Sequence, residues 1–461
     1  MARALLMAMP DIYQSWNPTL IVGPWVGGAS LSANSPNHDV YVADLILKRR
    51  DVRAGIREAI ERTNPQVVGL NAMTFQYPTA VRVARYVKNE FGLEVAFGGY
   101  HATAMREEIA SSPEGEAFDY IFAGESELTF NKFLDLLDMR EREKFWEISG
   151  LSFRDNGKWF HNKRHPALSI SPGLASILPP KRESRIWTGF HFYDVPFDTA
   201  ESSRGCDFSC EFCSMRGMQL DQKEGETLVA RAGFKQYPLE RVISDLKAAY
   251  KLGTRAVFLP DDNPAMHPDE FKELLRAIIK SGLSDIRYSG MVSTAGMADR
   301  RTTRLMREAG WDFSFLGVEN IYEGNLKAMG TKKTTADLAA RAIENLHQDG
   351  IVVLAGIIAG SPNDTEEVIR ANFRWFYDHP VDGVMCQFLT PYPGTPLRGK
   401  LLEDGLVENP GGMDNNYGGW STYNGEFAHC RTRSGLTPEQ IETIAYEEQQ
   451  KLNAKRGEET L

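Results

Sequence analysis

Short apolar runs bounded by Gly, Asn, Asp or Pro recur from Met1 to about Leu137: ARALLMAM, VYVAD, VVGLNAM, LEVAFGG and YIFAG. Between several of them lie VRAGIREAIERT and PTAVRVARYVKNEFG, which are apolar at helical spacing. Strand and helix in turn predict a parallel, doubly wound sheet, whose ligand crevice lies beyond the carboxyl ends of the strands. That rule directs attention to the turns at 71–75, 98–103 and 124–127.

The pattern changes after about Met139. LSFRDNGKWFHN reads as a hairpin turning at Asp155, Asn156 and Gly157, and a proline-containing connection follows it. From about Asp198 the alternation resumes, with AVFLPDD, IRYSGMVST, FSFLGVEN, VVLAGIIAGSP and GVMCQFLTPYPG each preceding or following a helical segment. With a strand expected just before Cys206, six βα units predict a partial or full parallel barrel whose functional loops share one rim. The expected organisation is α/β: a Rossmann-like domain over 1–138, a linker with a hairpin over 139–197, a partial (β/α)6 barrel over 198–396, and a C-terminal region over 397–461. No internal repeat or low-complexity segment interrupts it.

Composition narrows the field. The 461 residues are 42% hydrophobic and 25% charged, an ordinary globular balance. A net charge of −10 offers no broad basic field, which argues against nucleic acid as a partner. IVVLAGIIAG is too short for a membrane span and reads as a buried strand, and the N-terminus reads as a first strand rather than a signal peptide. A cytoplasmic location is expected, where a reducing medium keeps thiols available as ligands.

Three of the five cysteines fall within RGCDFSCEFCSMRGMQ, as Cys206, Cys210 and Cys213. Three thiolates are one short of a structural zinc or an ordinary iron–sulfur set, and a fourth is missing locally. His191, Cys386 or Cys430 would complete a zinc site. The alternative is an iron–sulfur cluster with one open iron.

CxxxCxxC with an aromatic residue, Phe212, before the last cysteine resembles the radical SAM enzymes. The resemblance implies a [4Fe–4S] cluster held by Cys206, Cys210 and Cys213, with its open iron chelating S-adenosylmethionine and reductively cleaving it to a 5′-deoxyadenosyl radical. It also implies an electron donor resembling flavodoxin or ferredoxin. The resemblance places Phe212 at adenosylmethionine, and residues at later strand ends suit it too: Asp261 and Asp262 near the ammonium, Ser293, Glu319 at a ribose, and Gly360 at an adenine rim. The bland readings stay open beside these, with Asp262 and Asp364 as helix caps and Glu319 as the partner of an arginine.

A doubly wound domain ahead of such a barrel is similar to the cobalamin-binding branch of that family. FGGYHAT and FAGESELTF carry the likeness, and Thr74, Gly98, Gly99, His101, Gly124 and Glu125 are the expected corrin contacts, glycine letting a flat macrocycle lie against backbone. No DxHxxG occurs, so a histidine ligand to cobalt is not expected; His101 is expected to hydrogen-bond instead, and His38 to sit in a surface loop. The branch implies transfer of a methyl group from methylcobalamin to an unactivated carbon of a small molecule. Its rivals are ring closure or hydroxylation without methylation, as in the anaerobic cyclase of bacteriochlorophyll synthesis, and a zinc-stabilised cobalamin carrier without turnover. Tyr392, Trp25, Tyr13 and Trp16 are candidates to line or roof the substrate, and Cys386 and Cys430 are read as inert thiols or radical quenchers.

Overall fold

The structure is a computed structural model describing residues 1–10, 24–165, 173–192, 194–215, 218, 220–221, 229–230, 233–331, 334–413 and 419–459. Tyr13 and Trp16 therefore lie outside the described residues. The chain divides into two compact units, Met1–Glu201 with Ser214–Thr254, and Ser202–Cys213 with Arg255–Leu461. The cysteine-bearing stretch thus belongs with the second unit, while the segment that follows it returns to the first.

In the first unit the apolar runs become β1 (Arg3–Ala8), β2 (Asp39–Asp44), β3 (Val67–Asn71), β4 (Glu94–Gly98) and β5 (Tyr120–Phe122). They pair in parallel in the order β2-β1-β3-β4-β5. The helices between them are α1 (Pro24–Ala33), α2 (Val52–Thr63), α3 (Tyr77–Phe91), α4 (Tyr100–Ser111) and α5 (Glu127–Met139). The ends of α2 and α3 are marked by left-handed caps at Asn64 and Gly92, the expected stop for residues that tolerate positive φ.

The hairpin forms as expected, β6 (Leu151–Asp155) against β7 (Lys158–His161), with Asn156 and Gly157 at φ 49° and 77°. Its place differs from expectation. β6 pairs antiparallel with β5, so the ribbon extends the first sheet instead of hanging in a linker. Phe145, Leu151 and Phe153 join Tyr120, Phe122 and Phe133 in one buried cluster, and that apolar contact is what draws the ribbon in. This unit also holds the strands β8 (His191–Phe192) and β9 (Val195–Thr199) and the helix α6 (Leu239–Lys251).

The second unit is a curled sheet of five parallel strands in sequence order: β10 (Ala256–Leu259), β11 (Arg287–Ser293), β12 (Trp311–Glu319), β13 (Val352–Ala359) and β14 (Gly383–Phe388). The helices α7 (Pro268–Lys280), α8 (Arg300–Glu308), α9 (Ala336–Gln348), α10 (Glu366–Arg374) and α11 (Pro396–Glu403) follow the strands in turn. The last helix, α12 (Pro438–Glu459), packs on α10, with Arg370 paired to Glu447 and Glu448 at 3.0 and 2.7 Å. No helix among the described residues is long and apolar enough to cross a membrane.

His38 departs from expectation: only 7% of it is exposed. Its Nδ1 accepts from the Ala2 amide at 3.1 Å and its Nε2 meets Asp135 at 2.9 Å, so it pins the first strand's start to α5.

Candidate functional site

The cysteine loop enters the second unit through Ser202 and Ser203, and Asp261 at the end of β10 holds it. Its carboxylate accepts the Ser202 amide at 2.9 Å, the Ser202 hydroxyl at 3.0 Å, the Ser203 hydroxyl at 3.1 Å and the Ser203 amide. Asp262 accepts the Gly205 amide at 2.9 Å, where Gly205 turns at φ 84°. Both carboxylates expected at an ammonium group are engaged with the loop, and Asp261 is fully buried there. Desolvated carboxylates satisfied by several donors set a loop's position firmly.

The far half of the loop is anchored equally well. The Glu211 amide donates to Met329 O at 2.9 Å, the Leu397 amide to Glu211 O at 3.1 Å, and Lys400 pairs with Glu211 at 2.6 Å. Gly330 permits this approach, since a Cβ there would stand 2.7 Å from Ser209 O. Phe212 packs on the buried cluster of Met329, Ile358, Leu389, Leu397, Leu401 and Cys430. The aromatic residue of the motif is thus a packing anchor.

Between these anchors the thiols gather charge they do not tolerate alone. Burial pushes the Cys206 thiol up to about 11. Cys210 is pushed higher, by burial first and then by Cys213, Glu319 and Cys206. A cationic metal centre reverses that bias and makes thiolate ligands of such groups. No group of three or more His, Cys, Asp or Glu among the described residues is gathered as the ligand set of one ion. A cubane, by contrast, takes its ligands at separate corners. Two of the three candidates for a zinc site are placed elsewhere: His191 is exposed, with Nδ1 2.9 Å from Gly189 O, and Cys430 is buried in the apolar cluster.

Beside Cys206 lies a residue that sequence reasoning passed over. Asn263 is 3% exposed, its Nδ2 donates to Ser293 Oγ at 3.4 Å and to Met266 Sδ at 3.5 Å, and its Oδ1 has no partner. A buried acceptor left open next to the thiols is what a polar ligand would satisfy. Only its position in FLPDDN, directly after the loop-holding pair, signalled it. Ser293 itself caps the short helix Thr294–Met297 through the Gly296 amide at 3.3 Å.

Glu319 ends β12 at φ 63°, beyond a register shift that sets in after Gly317. A non-glycine residue held left-handed at a bulge stores strain, and the bulge re-aims its side chain. Burial pushes its carboxyl up to about 7, and no arginine or other partner holds it among the described residues. Gly360 turns at φ 83° after β13, its amide and that of Ser361 both donating to Asp364 at 2.9 Å, so Asp364 organises this turn. Tyr392 stands with its ring 6.4 Å from that of Tyr423, and Cys386 lies half-buried on β14.

In the first unit the turns after β3, β4 and β5 converge. Gly99 adopts φ 97°, and a Cβ there would stand 2.2 Å from Asn71 Oδ1. Gly98 is open, its nearest neighbour being Phe122 at 3.9 Å. Gly124, at φ 89°, donates its amide to the Thr103 hydroxyl at 2.9 Å and has the Arg164 guanidinium 3.2 Å from where its Cβ would be. His165 reaches Glu125 O at 2.8 Å. His101 is 1% exposed, Nδ1 meets Thr74 Oγ1 at 3.3 Å, and its ring lies 4.3 Å from that of Tyr77. It hydrogen-bonds the Thr74 hydroxyl and supports the turn. An open glycine edge at the carboxyl ends of parallel strands is a cradle suited to a flat macrocycle. Trp25 is 4% exposed and packs with Ala8, Val26, Ala29 and Val42 as part of the core.

Residues 201–376 match the Radical SAM superfamily model and residues 23–134 the B12 binding domain model. The chain thus carries a radical SAM domain and a B12-binding domain. An uncharacterized methyltransferase of Pyrococcus horikoshii is 27% identical over 84% of this radical SAM chain and 80% of its own. The anaerobic magnesium-protoporphyrin IX monomethyl ester cyclase of Rubrivivax gelatinosus is 24% identical, over 74% of this chain and 59% of its own. Among solved structures, the radical S-adenosylmethionine methyltransferase TsrM from Kitasatospora setae, with cobalamin and a [4Fe–4S] cluster bound, aligns with a TM-score of 0.72. That alignment covers 96% of this chain and 85% of TsrM at 16% identity, which makes it a likeness of fold.

Proposed function

We propose that this protein is a cobalamin-dependent radical SAM methyltransferase acting on an unactivated carbon of a small molecule. The observation that carries the reading is the strained, unpaired Glu319 carboxylate near Cys210, on a loop that two other carboxylates hold in place. When bound, the cluster supplies the electron that cleaves adenosylmethionine, and the corrin supplies the methyl carrier.

The chain's own residues do the rest. Cys206, Cys210 and Cys213 ligate three corners of the cluster, while Asp261, Asp262 and Phe212 position the loop. Glu319, Asn263 and Ser293 receive the polar groups of adenosylmethionine, and the Gly360 turn borders its adenine. Thr74, Gly98, Gly99, His101, Gly124 and Glu125 form the corrin cradle, with Tyr392 facing the substrate. A flavodoxin- or ferredoxin-like donor in a reducing, cytoplasmic compartment supplies electrons.

The methyltransferase relative supports methyl transfer; the cyclase relative supports a second outcome, ring closure without methylation. Anaerobic incubation with adenosylmethionine, cobalamin and reductant tests both. Methyl transfer yields 5′-deoxyadenosine together with adenosylhomocysteine, and both vanish in Cys210→Ala. Deoxyadenosine alone favours cyclisation, and neither product from cluster-loaded protein overturns the proposal.

A further inference from the structure

The first unit contains a cleft of about 140 Å³ that the radical chemistry does not use, lined by Trp25, Asp44, Arg185, Trp187, Phe197 and Asp198 among others. We infer that it binds a small organic monocation with a flat or apolar body, an arylalkyl ammonium, through the Asp44 carboxylate.

One wall is a built ion lattice. Arg182 forks onto Asp245 at 2.7 and 2.8 Å, and reaches Asp198 at 3.0 Å and Thr199 O at 2.8 Å. Arg185 forks onto Asp198 at 3.0 and 2.9 Å and lies over the Trp25 ring at 3.9 Å. All four charged side chains are more than nine-tenths buried. Arg241, buried on α6, bears on Asp245 as well, so three guanidinium groups face these two carboxylates. Buried pairs of this kind persist only when geometry and hydrogen bonds compensate their desolvation.

Asp44, at the carboxyl end of β2, adds a further buried charge. It is 9% exposed, and Oδ1 accepts the Ile46 amide at 3.2 Å. No cation pairs with it among the described residues. Burial accordingly pushes its carboxyl up to about 7, against the pull of Arg185. A monovalent organic cation would give this buried, unpaired carboxylate a partner and take the place of the proton. Arg185 has no free fork for an anion. A divalent metal ion would find a single carboxylate where it needs several oxygens. Phe190, Pro196 and Phe197 provide the apolar surface for the ligand's body.

Binding then depends on pH in a defined direction. Below about 7 the cation competes with a proton on Asp44, and affinity falls by about tenfold per pH unit; above it affinity levels off. The other charged groups facing the cleft stay paired: Arg182 and Arg185 with Asp198 and Asp245, and Lys48 with Glu58 at 2.7 Å.

The test is calorimetric titration of the full chain with phenethylammonium, 2-phenylethanol and phenylacetate. Saturable binding of the ammonium, at least about tenfold tighter than that of the alcohol or the acid, is expected. Asp44→Asn, whose side-chain oxygen still caps the Ile46 amide, should abolish the discrimination. Equal affinity for the alcohol, absence of saturable heat, or an unchanged Asp44→Asn titration overturns the inference. Should that variant fail to fold, the wild-type profile from about pH 5.5 to about 8.5 decides, and pH-independent affinity overturns it.

Discussion

The Glu319 carboxylate lies over Gly317: a Cβ at position 317 would stand 2.6 Å from Glu319 Oε1. The two residues share one face of β12, and the missing side chain is what lets the carboxylate fold back. Gly317→Ala should therefore push the carboxylate aside with the fold intact. Adenosylmethionine affinity of the reconstituted protein should drop by about tenfold, the loss of one charge-assisted hydrogen bond, with iron content unchanged. Glu319→Gln should show a similar loss. Wild-type affinity in both would remove Glu319 from the proposed site.

Asp261→Ala leaves the Ser202 and Ser203 amides and hydroxyls without their acceptor. Each buried donor so orphaned costs about 1–3 kcal/mol. The loop rather than the sheet should give way. Iron and acid-labile sulfide after anaerobic reconstitution should fall well below wild type, while far-ultraviolet circular dichroism is retained. Full cluster loading would show that the loop needs no such anchor.

Gly98 and Gly99 separate the ligand's needs from the fold's. Gly98 has open space beside it, whereas a side chain at Gly99 would collide with Asn71 and sit at φ 97°. Gly98→Val should keep the melting temperature within a few degrees and lose cobalamin, read from the corrin absorption of the desalted protein. Gly99→Val should lose stability itself. Retained cobalamin in Gly98→Val would place the corrin elsewhere.

Burial pushes the Asp364 carboxyl up to about 6 from 3.8. A raised acid pKa means that the folded state prefers the protonated form. Stability is therefore fullest below about pH 4 and is lost as pH rises through 6, by up to about 3 kcal/mol. Asp364→Asn removes that loss, and the unpartnered Asn325 Oδ1 is placed to accept from the new amide once Asn325 rotates. The variant should melt higher than wild type at pH 8 and gain little at pH 4. A gain independent of pH would point to packing instead of charge.

What was legible in the sequence is what local spacing encodes. Periods of two and near four placed β1 to β5 and the helices α2 and α3, the Asn156–Gly157 pair placed the hairpin turn, and CxxxCxxC named the loop. These signals live within a few residues, where backbone geometry and side-chain alternation are set.

The tertiary structure decided which groups those residues meet. Asp261 and Asp262 sit more than fifty positions from the loop they hold, so no local pattern distinguishes a carboxylate that anchors a loop from one that greets a ligand. The same holds for Phe212, packed on the cluster around Met329, for His38, buried against Ala2 and Asp135, and for Trp25 in the core. The bulge that turns Glu319 left-handed and leaves it unpaired arises from the register between β12 and β13. Register, burial and the partner of a charge are properties of the folded chain, because desolvation is felt only once distant segments close around a group.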